Sequence, residues 1–199
     1  MYALVTDGTI TKYFNNPKGF TLGDLQYPAD IFMKWSVAEK EAIGIYEVVF
    51  DNSNKKDEQW YINTNQSFAF ADGIVTASYG TATPKAHADR NGTDRDGVEL
   101  NPIVVIEGLK TKLIKNLKAQ VAGILSETDW YITRNTEKST AIPSAVSTHR
   151  DAVRTKQASM ETAITNASNT PALETLYTYT EQEDGSVARP LGELPSLES

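Results

Sequence analysis

The sequence predicts an α+β protein: a small N-terminal antiparallel β module with one short helix, then a C-terminal helical hairpin of coiled-coil-like character, then an irregular acidic tail. Three observations carry this. Two Asp-Gly pairs, Asp7-Gly8 and Asp72-Gly73, each separate β-prone runs. From Ile103 onward the apolar residues fall at spacings of three and four, the helical period. The last stretch, "TEQEDGSVARPLGELPSLES", is acidic and holds Pro and Gly, a composition that favours irregular chain. The divisions are 1–82 for a β-rich docking module, 83–102 for a polar linker, 103–178 for the helical hairpin and 179–199 for the tail.

In chain order, "YALVTDGTITKYF" reads as a hairpin, Tyr2–Thr6 with Thr9–Phe14. Both central residues of a tight type I′ turn need positive φ, which Asp-Gly tolerates. Ser36 and Glu39 in "WSVAEKEAIGIY" form a capping box, and Gly44 supplies the left-handed helix end. That helix is about two turns long and is expected to pack Val37 and Ile43 beside Trp35. Ile45–Phe50 and Glu58–Asn63 supply two more strands, and "SFAFA" and "IVTASY" flank the second Asp-Gly turn. In the second half, Ile106, Leu109, Leu113, Leu117, Val121 and Ile124 form one helical stripe. A following helix, from about Pro143 to Ala167, repeats Val146, Val153, Met160 and Ala167 every seven residues, with His149, Arg150 and Ile164 near the complementary positions. Thr170 and Pro171 then open a short helix, with Thr170 as its cap.

Composition narrows the function. The chain has 199 residues, 40% of them hydrophobic and 23% charged, enough to bury a core. A net charge of -7 argues against a nucleic-acid partner. There is no cysteine, hence no disulfide framework. The start lacks a signal-peptide pattern and no apolar run approaches a membrane span, so the expectation is a soluble protein made in the cytoplasm, with no membrane partner. "DRNGTDRDGVE" clusters hard oxygen ligands without the EF-hand spacing and reads as a solvated loop. Lys110, Lys112, Lys115 and Lys118 lack the interleaved aromatics of a single-strand-binding face. The two His, His87 and His149, have no recognisable catalytic partners, and no phosphate loop, dinucleotide fingerprint or zinc-protease motif is present. The reading is therefore not an enzyme, with no catalytic residues, no metal and no cofactor.

The candidate site is a joint between helices. Ser126 and Asp129 read as a capping box, so one helix stops near Leu125 and another starts at Asp129. Trp130, Arg134 and Glu137 share one helical face, and Arg150 and Arg154 sit four apart on the next helix. An antiparallel return brings those Arg near Trp130 and Glu137, with Trp130 as a buried plane, Arg stacked on it and Glu neutralising it. On that expectation Trp130→Ala costs about 3–5 kcal/mol, as large core truncations do.

"LSETDWYITRNTEKSTAIPSAVSTHRDAVR" resembles a motif of tailed-bacteriophage tail fibre assembly and tail assembly chaperone-like proteins: an apolar helix, then T-D-W, R-x-x-E, a Pro and R-x-x-x-R. Here these are Thr128, Asp129, Trp130, Arg134, Glu137, Pro143, Arg150 and Arg154. "YALVTDGTITKYF" followed by "LQYPADIFMKWSVAEKEAIGIYEVV" is similar to the β module that opens many such proteins. The resemblance implies a non-enzymatic virion protein of the tail, baseplate or fibre region that joins or supports tail fibres. Its implied partners are tail fibre or baseplate proteins, in a homo- or hetero-oligomeric assembly. A transient fibre assembly chaperone, absent from the mature particle, is the alternative. Short fibre chaperones of this kind often end in an aromatic Trp-Pro segment; "LYTYTEQEDGSVARPLGELPSLES" stands there instead, which favours the resident component.

Overall fold

Asp7 and Gly8 take φ values of 49° and 73°, and the chain reverses tightly between β1 (Tyr2–Thr6) and β2 (Thr9–Phe14). In this computed structural model residues 1–197 are described; Glu198 and Ser199, the end of the expected acidic tail, lie outside the described residues. The architecture is mixed α+β, with a curled five-stranded sheet and six helices among the described residues. Two compact units divide the chain, Met1–Thr83 and a second from Pro84 onward.

In the first unit a small hairpin, β3 (Phe20–Leu22) with β4 (Leu25–Tyr27), precedes α1 (Ile31–Lys34), α2 (Val37–Ala42) and β5 (Ile45–Asp51). The helix expected after Ser36 is α2, and the additional short helix α1 precedes it, separated by the extended backbone of Trp35 and Ser36. The capping box forms: Glu39 N–H donates to Ser36 Oγ, and Ser36 N–H to the Glu39 carboxylate at 2.8 Å. Hydrogen bonds from the Ser36 hydroxyl and N–H hold the Glu39 pKa below its usual value. Val37 is exposed, contrary to expectation, while Trp35 and Ile43 pack on the core. The chain continues through β6 (Tyr61–Ile62), β7 (Gln66–Ala71) and β8 (Ile74–Tyr79) and ends the unit at β9 (Thr83–Pro84), which pairs with β6. The strand expected over Glu58–Asn63 shrinks to β6, since a turn at Asp57 takes the N–H groups of Trp60 and Tyr61.

Strand order is β2-β1-β5-β8-β7. The sheet is not wholly antiparallel: β5 and β8 run parallel, Val48 beside Val75. The second Asp-Gly hairpin folds β8 inward, between β5 and β7, so two strands of like direction become neighbours. Alternation along β1 sends Tyr2 and Leu4 to one face and Ala3 and Val5 to the other. Leu4, Phe14, Phe20, Ile31, Phe32 and Ile45 form one core under the helices and the β3–β4 hairpin. Ala3, Val5, Val48, Val75 and Ala77 form a second, inside the curl, where Tyr13 of β2 meets Phe68 of β7 at 4.7 Å between ring centroids.

The second unit opens with a ribbon, β10 (Arg90–Asn91) paired with β11 (Val105–Ile106). Of residues 83–102, read as a linker, all but Thr83 thus lie within this unit. Four helices follow: α3 (Leu109–Ser126), α4 (Asp129–Lys138), α5 (Ser144–Asn166) and α6 (Thr170–Tyr177). Ile106 belongs to β11 rather than to the helical stripe; Leu113, Leu117 and Val121 are the buried residues of α3. The α5 stripe is buried as its seven-residue repeat implies, from Val146 through Val153 and Met160 to Ile164, with His149 and Arg150 among it. Gly108, the α3 N-cap, has no side chain to cap with. Asp89 reaches in instead, accepting from Gly108 N–H at 2.8 Å and Thr111 Oγ1 at 2.7 Å. Those bonds, Thr111 first, lower its pKa. The α6 cap is Asn169, not Thr170; Thr170 is buried and donates to the Lys85 carbonyl at 2.6 Å. The segment expected to be irregular holds a short hairpin, β12 (Thr180–Glu181) with β13 (Val187–Ala188).

Two predictions follow from this geometry. A Cβ at Gly44, where φ is +80°, would sit 2.4 Å from the Val5 carbonyl oxygen, whereas at Gly73, with φ +76°, it meets nothing within 4 Å. Gly44→Ala is expected to cost more than about 2 kcal/mol in denaturant titration, and Gly73→Ala about 1 kcal/mol, the left-handed cost alone. Asp89 has a lowered native pKa, so its capping contribution is present above about pH 4, the unfolded value, and is lost as pH falls through the native one. The protection factor of the Gly108 amide, its exchange relative to an unfolded chain at the same pH, should therefore fall on acidification in that window, and Asp89→Asn should remove that fall.

Candidate interaction site at the helix joint

α3 ends with free carbonyls, as every helix does. Arg150, on the buried stripe of α5 and only 7% exposed, is what meets them. Its Nη1 donates to the Leu125 carbonyl and to Thr128 Oγ1, both at 2.7 Å, and its Nη2 to Asp129 Oδ1 at 2.9 Å. Thr128 is itself buried and donates to the Leu125 carbonyl at 3.1 Å. A cation thus sits at the negative end of α3, and a carboxylate at the positive start of α4, each the favourable sign for the helix dipole. One guanidinium fork ties the ends of two helices to the middle of a third.

α3 and α5 run antiparallel. Lys110 Nζ reaches the Thr165 carbonyl at 2.7 Å, Lys118 lies 3.6 Å from Glu161, and Leu125 meets Arg150. Lys115 pairs with Glu107. Three of the four Lys of this face are therefore engaged within the unit.

The predicted site residues divide. Trp130 is 51% exposed, so the expectation of a buried plane is corrected. Its neighbour in space is Tyr131, with ring centroids 3.7 Å apart, and the Arg134 guanidinium lies 4.8 Å from the Trp130 centroid and 5.2 Å from that of Tyr131. Arg134 Nε is buried without a hydrogen-bond partner, so the two ring faces supply its contacts. Glu137 is exposed and forms none of the ion pairs among the described residues; Asp129 is the carboxylate of the joint. Arg154 faces outward, 3.3 Å from Asp151. The Ser126–Asp129 capping box does not form, since α3 continues through Ser126, whose hydroxyl donates to the Gly123 carbonyl.

Two features went unread in the sequence. Thr128 supplies a buried hydroxyl, and the C-terminal segment crosses the joint. Leu194–Leu197 lie against His149, leaving cavities of about 360 and 420 Å³ on either side, lined also by Ile124 and Glu127 and by Ala145 and Ala152. Behind that segment, Arg189 stands 5.4 Å from the Tyr177 ring and 5.3 Å from Tyr179, and pairs with Glu193 at 2.8 Å. The bond from Tyr179 to Glu193 raises the Tyr179 pKa, and burial raises that of Tyr177. The signal for Arg150 was its place on the seven-residue repeat, where a charge must find partners.

Chemically the joint offers hydrogen bonds, a cation and aromatic faces. Among the described residues neither His87 nor His149 is hydrogen-bonded to a hydroxyl, and no three His, Asp or Glu gather where a metal would sit. The Asp94 carboxylate of the acidic loop accepts from the N–H groups of Asp96 and Val98. Trp60 and Tyr61 are buried, and Trp35 packs edge-on against Tyr27. No helix of the described residues is long and apolar enough to cross a membrane.

Arg150→Met should cost about 2–4 kcal/mol, because the Leu125 carbonyl and Thr128 hydroxyl each lose a charged donor while Asp129, 60% exposed, rehydrates. Arg150→Lys should recover part of that loss, and Asp129→Asn should cost under about 1 kcal/mol. Trp130→Ala should cost only about 0.5–1.5 kcal/mol, the stacking on a half-exposed face. Chemical denaturation of the four variants checks the order. Comparison with known proteins finds no matching protein-family model, no matching curated protein and no matching solved structure.

Proposed function

We propose that this chain is a non-enzymatic bacteriophage virion protein of the tail, baseplate or fibre region, joining or supporting tail fibres through protein–protein contacts. The observation that carries this reading is the joint itself. Arg150 on Thr128 and Asp129 forms a buried pin, and beside it the half-exposed Trp130 stacks with Tyr131 under Arg134, while Arg154 stands apart on Asp151. α3 and α5 are read as a coiled-coil-like helical hairpin that acts as a clamp or spacer, with the N-terminal β module as a docking head. Aromatic rings backed by Arg are the usual anchors of protein interfaces. The irregular end of the chain, lying over His149, is read as part of the resident assembly.

The exposed Trp130 and Ile132 also support a second reading, a transient tail fibre assembly chaperone, since an apolar face beside a rigid joint holds an unfinished partner as well as a finished one. Mass spectrometry of purified particles, with copy number relative to the major tail protein, decides between them. A fixed low multiple per particle supports the resident component. Absence from particles with abundance in infected cells overturns it in favour of the chaperone. Trp130→Ala should reduce recovery of the fibre or baseplate partner at least tenfold without comparable loss of stability.

A further inference from the structure

The second unit carries two short β ribbons at its surface, of different chemistry. In the first, Arg90 and Asn91 face Ile106 and Val105, Gly92 N–H donates to the Val104 carbonyl, and Leu100 N–H donates to the Gly92 carbonyl. Thr93 faces Glu99. Strand alternation then puts Arg90, Val98, Leu100, Val104 and Ile106 on one face. Val98 and the whole run Ile103–Ile106 are exposed, Ile103 at 63%. β10 is the only ladder partner of β11 among the described residues, so its outer edge is unpaired. Consecutive exposed aliphatic residues on a free edge mark a contact surface. The carboxylates here are turned to local donors: Asp94 to the N–H groups of its turn, Glu99 to the Asn91 amide and Asp89 to Gly108 and Thr111. Arg90 and Arg95 form none of the ion pairs among the described residues; Asp96 is the other charge of that turn.

The second ribbon is the β12–β13 hairpin. Glu181 stands opposite Val187, which is 64% exposed, and Tyr179 is exposed on the approach to it. Glu181 and Glu183 also form none of those ion pairs, while Asp184 accepts the Ser186 N–H. One apolar ribbon thus has free cations, and the other has free anions.

We propose that the β10–β11 ribbon of one copy of this chain docks on the β12–β13 hairpin of a second copy. Val104 and Ile106 cover Val187 and Arg90 meets Glu181, the apolar faces of the two ribbons packing on each other. A second copy is the occupant because one chain supplies both complementary surfaces. The surfaces differ, so the contact is heterologous: each copy keeps one free surface of each kind, and copies join head to tail into a ring or a longer series. This contact does not depend on the tail-protein reading.

Sedimentation of the full chain over a concentration series up to about 1 mM, the weak end of specific association, tests it. The expected result is a mass that rises beyond one chain with concentration. Ile106→Lys blocks the ribbon and Val187→Lys blocks the hairpin, and each variant alone should stay monomeric. Their equimolar mixture should form dimers and nothing larger, since each supplies the intact surface the other lacks. Arg90→Glu should weaken association at least tenfold, and pairing it with Glu181→Arg should restore it to within about threefold. Met33→Lys, in the other unit at an exposed position, should change nothing, and circular dichroism confirms that all variants are folded. A wild-type chain that stays monomeric throughout overturns the proposal and leaves the ribbon to a different protein. So does association that survives both blocking variants, or a mixture that remains monomeric.

Discussion

Arg150 is the constraint on which the helical unit depends. A guanidinium placed among Val146, Val153 and the α3 stripe would be intolerable alone, because desolvating a cation costs several kcal/mol. It is tolerated because three oxygens converge on it, two of them supplied by the place where α3 stops and α4 starts. The cation and the helix break require each other. Without the break, the Leu125 carbonyl would be spent within the helix and Thr128 would lie elsewhere on its surface. Without the cation, the break would leave the buried Thr128 hydroxyl oxygen with no donor. A hydrophobic residue of similar volume could fill the space, but it would not select this register of α5 against α3.

The β unit rests on a different constraint, the size of side chains inside the curl. Ala3, Val75 and Ala77 are wholly buried there, and they let the five strands bend until Tyr13 and Phe68 touch across the outer strands. The aromatic residues then do on the opposite face what small ones do inside. Phe14, Phe20 and Phe32 contact one another with centroids 4.9–6.1 Å apart and fill the larger space beneath the short helices. Gly44 marks the point where these requirements meet, since its N-terminal helix must end within van der Waals reach of the Val5 backbone.

What sequence made legible was local. The Asp-Gly turns, the Ser36–Glu39 box and the seven-residue repeat of α5 each act through neighbours within a few residues, and each stands where the pattern puts it. What sequence hid was long-range. The parallel pairing of β5 and β8 depends on which side of β5 a hairpin folds, and no residue in either strand declares it. The α3 cap comes from Asp89, too distant in sequence for a capping pattern to show. Thr170 looked like a cap because it precedes Pro171, yet its hydroxyl is claimed by Lys85 and Asn169 takes the role. At the joint, Arg150 was identified but paired with the wrong acid. Glu137 shares a helical face with Trp130, and helical spacing suggested it; Asp129 wins because it sits at the helix start, where an incoming cation from α5 arrives.

On the proposed reading, the same division of residues suits recognition. Had Trp130 been the core pin, changing the interface would have meant unfolding the joint. Instead the buried and exposed tasks fall to different residues of one short segment. Arg150, Thr128 and Asp129 fix the angle between helices, and Trp130, Tyr131 and Arg134 present a stacked face on the first turns of α4. A rigid helix start carrying half-exposed rings loses little conformational entropy when it meets a partner, because the rings and the cation over them already stand in one arrangement. The order of the residues along the chain enforces this. Asp129 is bonded to Trp130, so whatever holds the carboxylate on Arg150 also aims the indole.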